Sequence, residues 1–486
     1  MLRSSALLFC SAATLLAADD LSKQIQSFVN AFSIVEQNAA DPVSSEQAFY
    51  QGAIPGLLRS LDPHSVFFDP AQFEQLKKME SSTQKGFGSV VSILPGRVIV
   101  LQTLPGTPSQ KAGLAPGDEI LAINGYQIAR LDLDQLTELL TESRQRRAEL
   151  DVMRPGTSRI MRLALTPEDM QTPSVDRAFF VGPGIGYIRV ASFDESTARD
   201  IKTAIEKLGG SHLAGLVMDL RNNPGGVVGA ALNTAALFLD PGQKIFTVRG
   251  RSVPETSEEV KLSATPYAFK LVVLLNEKSA SASEIVSGAL QDHDRATIVG
   301  EVSYGKGLVQ SVYPLSQGAG LALTTALYYT PSGRSIQKPL DASQFELAAT
   351  TSHPNAKSEF RTDKGRIVKG GGGITPDFIV TPARMTRLRV ALDASGSFTN
   401  FATDYLSRNK VDADFDVTPS ILDEFEAWVG ARGIQPGASQ WSAEAEFLRN
   451  RIKTEIFNQA FGVEQGDQVE AQRDPLILKA LDILSS

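Results

Sequence analysis

The sequence is poor in the side chains that most hydrolytic and redox centres rely on. Its 486 residues hold one cysteine, Cys10, and four histidines, His64, His212, His293 and His353. Cys10 sits in "MLRSSALLFCSAATLLAADD", where one arginine precedes a short apolar run ending in small residues. That order reads as a secretory leader over residues 1–18, cleaved after Ala17 or Ala18 and too short to span a bilayer. The mature chain then has no thiol, no disulfide and no cysteine nucleophile. No histidine pair has the H-x-x-x-H spacing of a metal hydrolase, so neither a metal nor another cofactor is expected. No G-x-S-x-G nucleophile elbow occurs. There is no basic stripe, and a net charge of -8 argues against nucleic-acid partners. No second long apolar run follows, so a soluble protein in an exported compartment, such as a bacterial periplasm, is expected. Internal repeats and long charge runs are also missing.

What is present is a succession of periodic segments in a chain too long for one ordinary core. Residues 19–80 form an N-terminal helical region. There Ile25, Phe28, Val29, Phe32 and Val35 recur at helical spacing, and "LDPHS" breaks the pattern with proline. Over 81–170 the period becomes two. "SVVSI" and "RVIVLQTL" read as strands, "DLDQLTELLTES" as an amphipathic helix, and Asn124-Gly125 as a hairpin turn. Over 171–383 strands such as "GLVMDL", "KLVVLLNEK" and "ATIVG" alternate with helices such as "ASEIVSGALQDH", which indicates an α/β core. The run "KGGGGI" closes that core as a flexible loop. Residues 384–486 return to helical periodicity, with Pro419 at a first helical position and faces through Leu422, Phe425 and Val429 and through Leu448, Ile452 and Ile456.

Few residues remain for chemistry. His293 lies in the polar turn "QDHDR" and reads as a solvated surface histidine. "GEVSYGKG" fits the G-x-x-x-x-G-K phosphate loop, but Gly307 replaces the magnesium-binding hydroxyl and the next residues alternate like a strand. A phosphate loop must open a helix, so nucleotide binding is rejected. Ser279, Ser281 and Ser283 occupy alternate positions at a strand-to-helix turn. Any of them could cap the helix, and local pattern does not choose between them. A serine at this turn could attack with the Ala282 N–H facing the developing oxyanion. Lys306, between two glycines and beside an apolar strand, could act as base if desolvation keeps it neutral. Gln310 would share its face in an extended segment. "DLRNNPGG" places Gly225 and Gly226 after an apolar strand, where their N–H groups could supply a second oxyanion donor.

Three of these segments, "DLRNNPGG", "SASASEI" and "GEVSYGKGLVQ", together resemble the C-terminal processing peptidases, or tail-specific proteases. "GAIPGLLRSLDPHS", "YYTPSGRSIQ" and "GGITPDFIV" extend the resemblance over residues 25 to 383. The resemblance implies a multidomain α/β protein: a crotonase/ClpP-like α/β-spiral protease core, an inserted PDZ domain, and helical N- and C-terminal regions. It implies Ser281 as nucleophile, Lys306 as base and Gln310 as its companion. Ala282 with Gly225 or Gly226, Gly225 favoured, would form the oxyanion hole. "GFG" at Gly86, Phe87 and Gly88 resembles the PDZ carboxylate-binding loop, whose N–H groups hold the end of a peptide that adds as a strand. The expected partners are proteins with exposed C-terminal tails, a second copy of the chain in a homodimer, and an activator or adaptor protein. A non-catalytic peptide-binding scaffold and an acyl-CoA hydratase on a related spiral are the competing readings.

Overall fold

The computed structural model describes residues 5–80, 83–94, 96–155, 157, 159–171, 173–338, 359–381 and 385–486. They fall into two units. The smaller comprises the described residues of Met1–Phe73 and Gln310–Thr324, and the larger those of Glu74–Val309, Thr325–Pro339 and Ser352–Ser486.

In the smaller unit the helix Ser5–Asn38 is followed by a π-helical stretch, Gln47–Ala53, and a short helix, Ile54–Arg59. Phe28 and Phe32 both meet Phe49, yet Leu21, Ile25, Phe28 and Val29 stay exposed along one stripe of the long helix. "LDPHS" turns because buried Asp62 receives the N–H groups of His64 and Ser65, both at 2.8 Å, and the Ser65 hydroxyl at 2.7 Å. That turn feeds the strand Val66–Phe68, which pairs antiparallel with Gly320–Ala322.

The larger unit begins with an antiparallel sheet ordered Ser89–Leu94, Arg97–Thr103, Glu119–Ile123, Ala148–Met153, Ile160–Leu165. Asn124 (φ 51°) and Gly125 (φ 84°) make the hairpin turn in which both central residues need positive φ. The helix Leu133–Ser143 buries Leu136 against Val98, Ile123 and Val152. A two-stranded ribbon, Thr83–Gly86 with Glu168–Gln171, leads into and out of this sheet.

A six-stranded sheet follows, ordered Val175–Gly182, Ile185–Val190, Gly215–Asp219, Lys270–Leu275, Thr297–Gly300, Phe378–Ile379. Its first pair is antiparallel and the rest are parallel. All of Gly215–Asp219 is buried, as expected of a parallel strand covered on both faces. Leu216, Met218, Val273 and Ile298 pack against Ile201, Ala231, Ile285 and Ala289 on one face. The alternate residues Val217, Val272, Leu274 and Val299 pack against Leu476, Ile477, Ala480 and Leu484 on the other. The last four belong to the helix Pro475–Ser485, so part of the C-terminal region is a layer of the core.

The other C-terminal helices bury Leu392, Phe401, Phe425, Val429, Leu448, Ile452 and Ile456 in a separate apolar cluster. The "KGGGGI" segment differs from the expected flexible loop. Gly371 and Gly373 donate N–H groups to the Ser335 and Ile336 carbonyls, and Ile374 N–H donates to Ser303 Oγ at 2.6 Å. Gly373 also lies so close to Ser303 that a Cβ would fall 2.6 Å from its carbonyl oxygen. Among the described residues no helix is long and apolar enough to cross a membrane, and no group of three or more His, Cys, Asp or Glu side chains is placed to hold a metal ion.

Candidate active site

The strand Lys270–Leu275 ends in a turn, and the helix Ala282–Asp292 starts directly after Ser281. Three serines sit in this turn or on the first turn of the helix, and their surroundings separate them. Ser279 is fully buried and its hydroxyl donates to the Leu220 carbonyl at 2.8 Å. Ser283 is fully buried and donates to the Asn223 carbonyl at 3.1 Å. Both stitch the turn to residues 220–223. Ser281 is only partly buried, and its backbone is strained at φ 54°, ψ −112°, outside the regions an L residue favours.

That conformation is held from several sides. The Ser281 N–H donates to Glu284 Oε2 at 2.9 Å. The Ser281 carbonyl accepts the N–H groups of Glu284 and Ile285, and the buried Tyr328 hydroxyl at 3.3 Å. Gly225 closes the remaining side. A Cβ there would fall 2.8 Å from Ser281 Cβ and 2.7 Å from the Ala280 carbonyl oxygen, so only glycine lets the two loops meet.

Glu284 is the hub. In sequence, Ser281-x-x-Glu284 has the pattern of a helix capping box. In the fold the same carboxylate also reaches the loop that carries Lys306. Oε1 accepts the Ser303 hydroxyl at 2.5 Å and the Gly305 N–H at 2.7 Å, and Oε2 accepts the Lys306 N–H at 2.9 Å. Ser281 and Lys306 therefore have their amide nitrogens within two hydrogen-bond lengths of each other, on one oxygen. Glu284 is 0% exposed. Burial pushes its carboxyl above the ordinary glutamate value, and the bonds from Ser303, Lys306, Gly305 and Ser281 pull it back. Sequence reading missed this residue as part of the site. Beyond Glu284, the lysine loop is fixed by Gln337 Oε1, which accepts the Gly307 N–H at 2.9 Å, and by Lys338 N–H on the Gly305 carbonyl.

The loop after the strand Gly215–Asp219 is equally tied. Asn222 (φ 59°) and Asn276 exchange hydrogen bonds, Asn276 Oδ1 accepting the Asn222 N–H and Asn276 Nδ2 donating to Asn222 Oδ1, both at 2.9 Å. Fully buried Asn223 donates to the Val190 carbonyl and accepts the Gly225 N–H at 2.8 Å. The Gly225 N–H is thus engaged, whereas the N–H groups of Gly226 and Ala282 have no acceptor among the described residues. Gly226 (φ 143°) passes so close to Phe193 that a Cβ would fall 1.9 Å from its carbonyl oxygen.

Gln310 lies in the strand Leu308–Pro314, and within the smaller unit its Nε2 donates to the His64 carbonyl at 2.5 Å. His293 is not a solvated surface group. Its side chain is 8% exposed, with Nδ1 at 2.7 Å from Asp363 Oδ2 and Nε2 at 2.7 Å from the Lys244 carbonyl. It sits at the opposite end of the helix Ala282–Asp292 from Ser281 and pins a hairpin there.

A second candidate site lies in the antiparallel unit. Gly86 ends the ribbon, and Phe87 is half-buried with its carbonyl accepting the Ser109 N–H at 2.8 Å. Gly88 (φ 75°) accepts the Leu104 N–H, and a Cβ there would fall 2.3 Å from Thr107. Among the described residues the strand that follows, Ser89–Leu94, pairs only with Arg97–Thr103 within its sheet.

Comparison with known proteins identifies two domains in the chain. Residues 184–342 match peptidase family S41, and residues 99–154 match the PDZ domain. The chain is 37% identical over 323 residues to a carboxy-terminal-processing protease of Bartonella bacilliformis, covering 65% of this chain and 73% of that protein. It is 34% identical over 309 residues to a carboxyl-terminal-processing protease of Synechocystis sp., covering 62% and 72%. The solved photosystem II D1 C-terminal processing protease is similar at 27% identity with a TM-score of 0.40, over 73% of this chain and 86% of that one.

Proposed function

The chain belongs to peptidase family S41, among the carboxy-terminal processing proteases, and from that premise we propose that Ser281 is its nucleophile and Lys306 its general base. It is a serine-type peptidase with a PDZ domain. The observation that carries the assignment is the Glu284 carboxylate, which receives the backbone N–H of both Ser281 and Lys306 on one oxygen.

The proposed reaction begins with neutral Lys306 taking the Ser281 hydroxyl proton as Oγ attacks a peptide carbonyl carbon. The carbonyl oxygen becomes an oxyanion and is met by the Ala282 N–H. The Gly226 N–H is the second donor, rather than the Gly225 N–H favoured on sequence, because the latter is engaged by Asn223. One such donor is worth about 10²–10³ in kcat. The C–N bond then breaks as the Lys306 ammonium returns the proton to the departing amine. Water, deprotonated by the same lysine, attacks the acyl carbon, and the Ser281 Oγ–C bond breaks as the lysine returns that proton to Oγ. Gln310 is assigned to orient the amine, on the family pattern Lys306-x-x-x-Gln310.

Recognition is assigned to the PDZ domain. The N–H groups at Gly86, Phe87 and Gly88 hold a terminal carboxylate, and the tail adds as a strand to the edge of Ser89–Leu94. The exposed apolar stripe through Leu21, Ile25, Phe28 and Val29 supports a homodimer through the N-terminal helix. Export through the leader at 1–18, and control by an activator or adaptor, complete the proposal.

The test uses protein spanning residues 19–486 and an unstructured substrate with an apolar C-terminus, with fragments followed by mass spectrometry. Ser281→Ala and Lys306→Ala are expected to abolish cleavage, and His293→Ala to leave a catalytically competent enzyme. Cleavage surviving Ser281→Ala or Lys306→Ala overturns the assignment. Binding of the tail without cleavage by the wild-type protein would favour a peptide-binding scaffold.

A further inference from the structure

The turn at Gly225–Gly226 has no side chain of its own to fix it, so what holds its neighbours decides where its amides point. On one side Phe193 donates its N–H to the Gly225 carbonyl and accepts the Val227 N–H, both at 2.9 Å. On the other, beyond the bonds of Asn222 and Asn223 already described, a further tether is Arg221, four residues upstream. Its Nε and Nη2 bond to Asp219, which is 1% exposed and also accepts the Tyr187 hydroxyl at 2.8 Å. The remaining arm of the guanidinium, Nη1, donates to Asp474 Oδ2 at 2.7 Å.

Asp474 belongs to the C-terminal helical region, far from the peptidase core in sequence. It caps the helix Pro475–Ser485, its Oδ1 accepting the N–H groups of Leu476 at 2.8 Å and Ile477 at 3.3 Å. One carboxylate therefore has one oxygen on the tail helix and the other on the residue that leads into the oxyanion turn. The helix itself is closely seated. Leu484 Cδ2 lies 2.9 Å from where a Cβ on Gly215 would stand, and Leu476 Cδ2 lies 3.0 Å from the same point on Gly300. Both glycines are in the sheet that delivers the catalytic loops. The cap cannot drift without lifting the helix off that sheet.

We propose that Asp474 is a positioning residue for catalysis, holding the oxyanion turn through Arg221; this rests on the assignment of Ser281 and the 225–226 turn above. The C-terminal helix is then a buttress of the reaction centre. Losing the carboxylate frees one arm of Arg221 and lets the turn sample positions in which its amide misses the oxyanion. Misplacements of about 1 Å cost roughly 10²-fold in rate.

The discriminating variant is Asp474→Ser in the mature protein, because serine still caps a helix but offers Arg221 no charge. Hydrogen exchange over residues 475–485 reports whether the helix remains seated. The expected result is a seated helix, a KM for a tailed substrate within about twofold of wild type, and kcat lower by about 10- to 100-fold. Affinity for a peptide aldehyde should fall in parallel, because its adduct with Ser281 needs the oxyanion donors. Asp474→Asn, isosteric and still able to cap, is read by the same criteria should serine unseat the helix. Wild-type kcat and aldehyde affinity with the helix in place overturn the proposal, as does a rise in KM alone. Ser281→Ala is measured alongside. If it still cleaves, the catalytic assignment fails; if it is dead while both Asp474 variants match wild type, only the role of Asp474 fails.

Discussion

Two loops in this molecule are assigned to receive negative charge, and they are built differently. At the proposed catalytic centre, the backbone N–H groups of Ser281 and Lys306 converge on a carboxylate that is 0% exposed, and Asn223, Tyr328 and Arg221 brace the loops around it. At the PDZ loop, the carbonyls of Phe87 and Gly88 are each anchored by a backbone N–H, and beyond them lies a strand that, among the described residues, is paired on one side only. The difference follows from how long each charge lasts. A peptide carboxylate remains bound and can draw flexible donors into place. An oxyanion exists only around the transition state, so its donors must already be aimed before it forms.

The contrast can be broken most severely at Glu284. Glu284→Gln would turn an amide NH₂ toward either the Ser281 and Lys306 N–H groups or the Ser303 and Gly305 donors. Each orphaned buried donor costs about 1–3 kcal/mol. Steady-state kinetics should show kcat lower by at least about a hundredfold, with KM little changed; equal loss of tail binding would deny the separation of the two sites. A milder break is Gly88→Ala. Its Cβ would stand 2.3 Å from Thr107 at φ 75°, so the carboxylate loop must move. KM for a tailed substrate should rise about tenfold, equivalent to about 1.4 kcal/mol, with kcat unchanged. A rise for substrates with an amidated C-terminus as well would argue against carboxylate capture.

Tyr328→Phe sharpens the comparison. It removes only the hydroxyl on the Ser281 carbonyl, so kcat should fall by roughly fivefold, about one neutral hydrogen bond, while the affinity of an isolated tail peptide stays at the wild-type value. The smallest effect concerns pH. The Glu284 carboxyl is raised in the fold by burial, so between the ordinary glutamate value and the raised one the folded protein keeps a proton that the unfolded chain has released. Wild-type stability therefore falls as pH rises through that window. The gap in melting temperature between wild type and Glu284→Gln should narrow with it, and a gap that widens would contradict the raised value.

Much of the fold was legible because it rests on local pattern. The all-buried strand "GLVMD", the Asn124-Gly125 hairpin and the face through Leu448, Ile452 and Ile456 are each set by the period of a short segment. The site was legible only as candidates. Ser279, Ser281 and Ser283 have the same local setting, and what separates them is burial against Leu220 and Asn223, far away in sequence. Glu284 looks like a capping residue because three of its four donors come from the Lys306 loop only after the sheet has formed. His293 and "KGGGGI" were misread for the same reason, since their partners at Asp363, Lys244 and Ser303 lie outside any local window. Likewise, the amphipathic face of Pro475–Ser485 gave no hint that Gly215 and Gly300 were shaped to receive it.

The φ of 54° at Ser281 bears on how this protein could be improved as a material. Glycine adopts such a backbone without penalty, whereas a side chain there costs about 1–3 kcal/mol. A library selected for thermal endurance alone should therefore enrich Ser281→Gly, which relaxes the turn and deletes the proposed nucleophile. The hardiest molecules it yields would be inert, and any stabilisation campaign has to screen for turnover at every round.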